Sequence, residues 1–436
     1  MRHLTPPRIL VLGFIVLITI GSVLLSLPFA TESGIPLSPI DALFTATSAT
    51  AVTGLIVVDT AQTFSTFGEL VILTLIQIGG LGFMTISTLL ALAIGKKISF
   101  RERLVMKEEI NGLTLGGIVK LTKVILLLTF SLEGISTFIL GLYWSKQYGL
   151  AKGFYLGLFH SISAFCNAGF DLFSKSLVDY KGDILVNLVI IILFVLGGLG
   201  FTVIADILTH EKWSKFSLHS KLVLAITGFL LLFGFAAVFI FEFNNSLVGM
   251  PLKDKILASI FQGATPRTAG FNTLPIDELR FSTIFLIMFL MFIGASSGST
   301  GGGVKITTVG TIMLAVFSTV RDQEETVVFG RKIPEDIILK SVAIVVISLG
   351  WIVLVSLILL VTENAPFEVI IFEVFSAFGT VGLSMGLTSQ LTLVGKIVIL
   401  ITMLIGRVGP LTLAFAIFER SSANNLHYPE EKIMVG

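Results

Sequence analysis

Charge is scarce in this chain: of 436 residues, 13% are Asp, Glu, Lys or Arg, where a soluble domain carries about 25%. Hydrophobic residues make up 54%. Together these exclude an ordinary water-soluble domain and indicate an integral membrane protein. The net charge of +1 argues against a nucleic-acid partner. The single cysteine, Cys166, excludes an internal disulfide framework and any CxxC metal site. Of the five histidines, only His160 is expected at membrane depth. The N-terminus is short and basic (Arg2, Arg8) and runs into an apolar stretch over 9–27. That stretch is too long for a signal-peptide core of about 7–15 residues, and no small-residue cleavage site follows, so it reads as an uncleaved first span. No soluble extension is expected on either side of the membrane part, and so no regulatory domain within the chain.

What the chain does hold is a fourfold repetition. The stretches FTATSATAVTGL (44–55), FHSISAFCNAGF (159–170), FQGATPRTAGF (261–271) and FEVFSAFGTVGL (372–383) end alike. Each is a short apolar run, then small and hydroxyl residues, then one glycine and a Leu or Phe. Those glycines, Gly54, Gly169, Gly270 and Gly382, recur at intervals of 101 to 115 residues. A fixed period means one structural unit repeated. Four units around one axis can surround something small enough to touch all four, which in an apolar chain is an ion.

Around each glycine the order is long apolar run, short apolar run, glycine loop, long apolar run. The first long runs cover 9–27, 121–143, 222–241 and 337–361, and the second cover 70–94, 185–208, 284–316 and 397–418. Most approach the ~20 residues needed to cross a bilayer. The short runs are about half that, so they are expected to enter the membrane as helices and return as extended loops, which is tolerated only where they line a watery cavity or are buried in protein. The predicted fold is an all-α integral membrane protein. Four membrane–pore–membrane repeats, with eight spans and four re-entrant pore helices, surround one pseudo-fourfold ion pathway. The repeats are read as 1–95, 96–209, 210–319 and 320–420, with a cytosolic tail over 421–436. Eighteen Lys and Arg residues fall on one side of this arrangement and eight on the other. That bias places both termini in the cytoplasm. A second motif runs in register with the first: IGGLGF (78–83), LGGLGF (196–201), IGASSG (293–298) and IGRVGP (405–410). Close helix packing explains glycines there, but not their register.

A bare monovalent cation needs oxygen ligands, and backbone carbonyls supply them if the chain turns successive C=O groups inward. That conformation often needs φ > 0, which glycine adopts without steric cost. The candidate filter is Val52, Thr53 and Gly54; Asn167, Ala168 and Gly169; Thr268, Ala269 and Gly270; Thr380, Val381 and Gly382. None of these triplets contains a carboxylate, which favours a monovalent over a divalent ion. The short helices aim C-terminal ends, each carrying roughly half a negative charge, at the axis. Asp41, in the first turn of the first short helix, reads mainly as an ordinary cap. One filter glycine per unit and four unlike loops suggest a short, asymmetric filter of modest discrimination.

Departures from the repeat point to a gate. Arg407 stands where the other units have Gly80, Gly198 and Ala295. A cation in mid-membrane is costly and usually functional, so Arg407 is expected below the filter, alone of its kind, as a barrier or an anchor for a gate. The third unit interrupts its last span with Gly294, Ala295, Ser296, Ser297, Gly298, Ser299, Thr300, Gly301, Gly302 and Gly303, then Val304 and Lys305. Such a run disfavours continuous helix and reads as a flexible intramembrane gate, the bland alternative being a wide kink. Arg267 is expected to buttress the third loop. Gly294 to Gly298 fits a G-x-S-x-G nucleophile pattern around Ser296, but no base is in sight. Gly298 to Gly303 fails as a phosphate loop, because Val304 precedes Lys305 and no Ser or Thr follows it.

With loops and gate in place, the chain resembles the potassium-translocating, KtrB-type subunits of the Trk/Ktr/HKT superfamily. The stretches that carry the resemblance are DALFTATSATAVTGL, QIGGLGFMT, FHSISAFCNAGF, FTVIADIL, TPRTAGFN, the glycine-serine run to Lys305, FSAFGTVGLSMGLT and IGRVGPLT. It implies potassium uptake rather than enzymatic activity. Its filter glycines map to Gly54, Gly169, Gly270 and Gly382, its gate loop to 294–305 and its pore arginine to Arg407. It further implies a homodimer in the bacterial plasma membrane and a KtrA-like cytosolic ring of nucleotide-binding RCK subunits carrying ATP or ADP. Na+ is implied as an activator, and K+ is the only ion expected on this chain. The segment 96–117 and the tail 427–436 are candidate contacts with that ring. Two competing readings are a sodium-coupled alternating-access transporter, which more often has inverted repeats, and an intramembrane hydrolase.

Overall fold

The computed structural model describes residues 5–82, 85, 103–107 and 118–417, which are mostly helical. Three kinds of helix recur in one order. The outer helices are Pro6–Leu25, Ile118–Tyr148, Leu218–Glu242 and Glu335–Thr362. The short helices are Pro39–Thr50, Leu150–Phe165, Leu252–Ala264 and Phe367–Gly379. The inner helices begin as Thr66–Leu81, Ile184–Leu199, Phe281–Phe292 and Leu393–Val408. In each unit the short helix packs against its own outer helix. The short helix of the second unit is longer than its apolar run suggested, at 16 residues. The candidate partner contacts at 427–436, and those at 96–117 apart from 103–107, lie outside the described residues.

Polarity is distributed as a bilayer demands. Leu127, Leu232, Phe285 and Val361 face outward, while Thr47, Ser48, Thr50 and Thr53 are fully buried. Lipid accepts exposed apolar side chains, whereas unpaired backbone groups must be kept inside. Among the described residues, four helices are long and apolar enough to cross a membrane, and two bent pairs qualify when each pair counts as one span.

Helix starts follow from local chemistry. Side chains of Ser38, Ser65, Asp183 and Thr392 accept backbone N–H groups at helix N-termini, satisfying otherwise orphaned donors. Two outer helices end in a carboxylate that organises the start of the same unit's inner helix. Glu242 accepts the Arg280 amide at 2.9 Å, and Glu363 accepts the Thr392 amide at 2.9 Å. Asp41 pairs with Lys396 at 2.7 Å, linking the first unit to the fourth.

The inner helices depart from the continuous runs of the sequence. The second bends by 96° between Ile184–Leu199 and Phe201–Thr209, and the fourth by 96° between Leu393–Val408 and Pro410–Ala416. The hinges are Gly200 and Gly409, both at φ 92°, and Gly82 ends the first inner helix at φ 87°. A side chain at such a φ costs roughly 1–2 kcal/mol. The last glycine of the second GGLG motif and of GRVG is therefore a corner. Hydropathy cannot register it, because the chain is apolar on both sides of the turn. The third inner helix stops at Phe292 and resumes as Ile306–Val320.

Candidate ion pathway and gate

Just beyond each short helix the chain reverses hand. Val52, Asn167, Thr268 and Thr380 have φ of 56°, 60°, 71° and 50°. Gly54, Gly169, Gly270 and Gly382 follow at 87°, 68°, 80° and 91°. The residue between them keeps an ordinary negative φ. Glycine was expected to supply the positive φ; the structure puts it at the first position too, where β-branched residues are least tolerated. Strain of this kind persists where the surroundings over-determine it.

The surroundings are visible. The amides of Thr53, Ala168, Ala269 and Val381 donate to the carbonyls of Ser48, Ser163, Thr265 and Ser376 at 2.8–2.9 Å. The side chains of those same four residues brace the loop. Ser48 and Ser376 accept the Gly54 and Gly382 amides at 3.1 Å. Ser163 donates to the Phe170 carbonyl at 2.7 Å, and Thr265 donates to that of Phe271. The sequence shows hydroxyl residues here without assigning them this bracing role; their constant offset of six residues before the glycine (five in the shorter third loop) is the signal for it.

The four loops close on one another in chain order. A Cβ on Gly54 would collide with the carbonyl oxygen of Ala168, and one on Gly382 with that of Thr53. At Gly270 it would lie 2.5 Å from the Val381 oxygen, and at Gly169 2.8 Å from Gly270 Cα and 3.2 Å from the Ala269 oxygen. So each glycine abuts the middle carbonyl of the next loop, and the fourth returns to the first. Four carbonyl oxygens and four side-chain-free residues form a single ring.

The register of the second motif has a physical cause here. A Cβ on Gly79, Gly197 or Gly406 would collide with the carbonyl of Thr50, Phe165 or Phe378 at the end of that unit's short helix. Only glycine lets that end seat on the inner helix. In the third unit the equivalent Gly294 instead meets the Gly302 carbonyl, so the interrupted segment occupies the place the helix would have taken.

That segment, 293–305, is folded and bonded beneath the ring. Ile293 and Val304 pair as a bridge. Ser296 and Thr300 amides donate to Gly198 and Gly197 at 3.0 and 3.2 Å, Phe201 to Gly298 at 2.8 Å, and Gly303 to Gly406 at 3.1 Å. Ser299 donates to the Ser296 carbonyl at 2.6 Å, and Ser297 lies 3.3 Å from the Thr307 hydroxyl. Glycine is required at 301 and 302 because a Cβ would strike the hydroxyls of Thr268 and Thr380. The glycine content thus reflects close fit rather than looseness.

Arg407 projects from the fourth inner helix into this level. Its Nη1 donates to the Thr300 carbonyl, and its Nη2 to the carbonyls of Gly79 and, at 3.0 Å, Gly80. A mid-membrane arginine costs ~2.5–3.5 kcal/mol on insertion scales, and hydrogen bonds to a charged group return ~1.5–3 kcal/mol each. The three carbonyls are enough to hold it. Arg407 is not alone, as the repeat had suggested. Lys305 donates to the Gly301 carbonyl at 2.8 Å and lines the same cavity of about 310 Å³, together with Gly80, Gly298, Gly409 and Phe415. At ~30 Å³ per water, that is room for several waters.

The remaining candidates have partners of their own. His160 is buried, with Nδ1 on the Leu156 carbonyl at 2.8 Å and its ring stacked on Phe173; the Ser296 hydroxyl lies 3.4 Å from the Ser297 carbonyl. No nucleophile–base pair forms there. Cys166 is buried at the end of the second short helix, 3.8 Å from Gln77 Oε1. Arg267 is buried, and its Nη2 lies 3.5 Å from the Thr227 hydroxyl on the third outer helix. Asp171, two residues beyond Gly169 and just outside the triplets, is a carboxylate that the loop reading passed over. It accepts the Phe173 amide at 2.8 Å. Burial pushes its carboxyl up to about 6, the nearby Asp59 adds to this, and the Phe173 amide opposes it.

Comparison with known proteins agrees with this architecture. The chain belongs to the TrkH family, described as cation transport proteins, whose profile matches residues 6–428. It is a multi-pass membrane transporter and not an enzyme. It is 49% identical, over 99% of this chain and 97% of the relative, to Ktr system potassium uptake protein B of Bacillus subtilis (strain 168). It is 41% identical, over 100% of this chain and 98% of the relative, to the potassium/sodium uptake protein NtpJ of Enterococcus hirae. The crystal structure of the potassium transporter TrkH from Vibrio parahaemolyticus shares the fold, with a TM-score of 0.71 at 20% identity over 93% of this chain and 85% of that one.

Proposed function

We propose that this chain carries potassium into the cell through the ring of four loops, gated by the segment 293–305. The observation that carries this reading is the closed cycle of Gly54, Gly169, Gly270 and Gly382, each set against a neighbouring carbonyl oxygen. Such a cycle offers oxygen ligands from all sides and no side chain to obstruct them. Val52 to Gly54 and the three equivalent triplets form the filter, and the C-terminal ends of four short helices favour a cation there. The names of the relatives at 49% and 41% identity support potassium as the cargo, and the second also names sodium.

In this reading, eight spans and four re-entrant helices fall into units 1–95, 96–209, 210–319 and 320–420. Both termini lie in the cytoplasm, and the filter opens outward. Arg407 and Lys305 form the barrier beneath. At an effective dielectric of ~20, one unit charge ~8 Å away opposes a passing cation by ~2 kcal/mol, so displacing this layer raises flux. Control belongs to a separate cytosolic RCK ring that binds ATP or ADP, acting on a homodimer of this chain, with sodium as a stimulant.

Potassium uptake in a potassium-auxotrophic bacterium, with and without a co-expressed RCK subunit, tests the reading. Growth at low potassium that disappears with Gly270→Asp is expected. No uptake from protein shown to be in the membrane would contradict it and favour another cation or a coupled transporter.

A further inference from the structure

The innermost position of the filter shows an asymmetry that ion coordination does not explain. Its four residues are Val52, Asn167, Thr268 and Thr380. If backbone carbonyls coordinate the ion, the side chains at this position are free to differ. Three are polar and one is apolar, and the three polar ones meet the segment beneath.

The Thr380 hydroxyl accepts the backbone amide of Gly302 at 3.1 Å. The Thr300 hydroxyl lies 3.1 Å from Asn167 Oδ1 and 3.2 Å from the Phe165 carbonyl. The other end of the Asn167 amide donates to the Thr268 hydroxyl at 3.0 Å, and that hydroxyl leaves no room for a Cβ on Gly301. Asn167, Thr268, Thr300 and Thr380 are all fully buried. The apolar member, Val52, belongs to the first unit, which Arg407 joins to this segment through Gly79 and Gly80.

We propose that Asn167, Thr268 and Thr380 are latch residues: their side chains hold the 293–305 segment shut against the underside of the filter rather than serving the ion. This rests on the reading of the four loops as a filter and of 293–305 as a gate. Opening the segment breaks the Thr380–Gly302 and Asn167–Thr300 hydrogen bonds in one step, so gate position and the inner rim of the filter are coupled mechanically. The buried bonds favour the closed state while leaving the carbonyl ring above intact.

The first unit supplies the test substitution. It carries valine at φ 56°, close to the 50° of Thr380. Thr380→Val is therefore nearly isosteric in a backbone setting that already holds valine. The full-length chain, purified without any partner and reconstituted in liposomes, is assayed for rubidium influx and for rubidium-over-sodium preference. Thr380→Val and Thr300→Val are each expected to raise rubidium flux by about fivefold, the effect of one lost hydrogen bond of ~1 kcal/mol on a closed–open equilibrium. For Thr300→Val, which lies outside the filter triplets, the ion preference is expected to stay as in the wild type. Thr380→Ser, which keeps the hydroxyl, is expected to restore the low flux. Unchanged or lower flux in both valine variants, from correctly folded protein, would overturn the latch. A collapse of ion preference without a rise in flux would overturn it too, by returning these side chains to the ion pathway. Loss of selective flux with Gly270→Ser alongside unaltered Thr380→Val would refute the latch while leaving the filter standing. Absence of alkali-cation flux in every protein, wild type included, would overturn both.

Discussion

The carbonyl ring and the layer directly beneath it are built on opposite plans. In the ring, every unit contributes the same things: a reversed φ, a glycine, a middle carbonyl and a bracing hydroxyl at Ser48, Ser163, Thr265 or Ser376. Beneath it, each unit contributes something different. The third gives the 293–305 segment, the fourth gives Arg407, the second gives Gly197 and Gly198 as acceptors, and the first gives the carbonyls of Gly79 and Gly80. A bare ion requires ligands from all sides, so the ring must repeat. On the proposed reading of 293–305 as a plug, one opening needs filling, so a single interrupted segment suffices and the other units need only hold it.

That contrast predicts that damage to the ring changes which ion passes, while damage beneath it changes how much passes. The largest effect is expected from Gly270→Ser. At φ 80°, with a Cβ 2.5 Å from the Val381 oxygen, the side chain displaces two loops at once. Potassium-over-sodium preference in reconstituted flux assays should fall by about tenfold or more, since a 1.4 kcal/mol distortion is already a factor of ten. An unaltered ratio would break the assignment of the ring. A smaller effect of the opposite kind is expected from Arg407→Gln. It weakens the link between Thr300 and the first unit and removes one charge from the cavity. Flux should rise several-fold with the ion ratio preserved; a changed ratio would merge the two layers that the account keeps apart.

The smallest effect concerns the outer mouth. Asp171 has its carboxyl pushed up to about 6. It is therefore ionised above that pH and neutral below, and the local attraction for cations is lost as external pH falls. Uptake at sub-saturating potassium should drop about twofold between pH ~7.5 and ~5, and Asp171→Asn should show the lower rate with little pH dependence in that window. Parallel profiles for the two proteins would remove Asp171 from the pathway.

Much of this was readable from sequence because repetition makes weak signals add. One glycine followed by Leu or Phe says little; Gly54, Gly169, Gly270 and Gly382 in register with Gly79, Gly197, Gly294 and Gly406 define a unit. Departures were equally readable, since Arg407 and the run from Gly294 to Lys305 break a pattern already established. What escaped was conformation that residue type does not announce. Val52, Thr268 and Thr380 adopt a left-handed backbone that β-branched residues rarely enter, so nothing local marks them. The 96° corners at Gly200 and Gly409 interrupt runs that are apolar throughout, and hydropathy is blind to direction. The company Lys305 keeps with Arg407 depends on a tertiary cavity, which no spacing along the chain reveals.

The proposed pathway requires a cation on the axis where the four loops meet. Crystals of the full-length protein grown with thallium in place of potassium, measured at an anomalous edge, test it most directly. Anomalous density is expected on the axis among Gly54, Gly169, Gly270 and Gly382, coordinated by backbone oxygens and lost in Gly270→Ser. Strong thallium sites elsewhere in the membrane part, with none inside this ring, would contradict it.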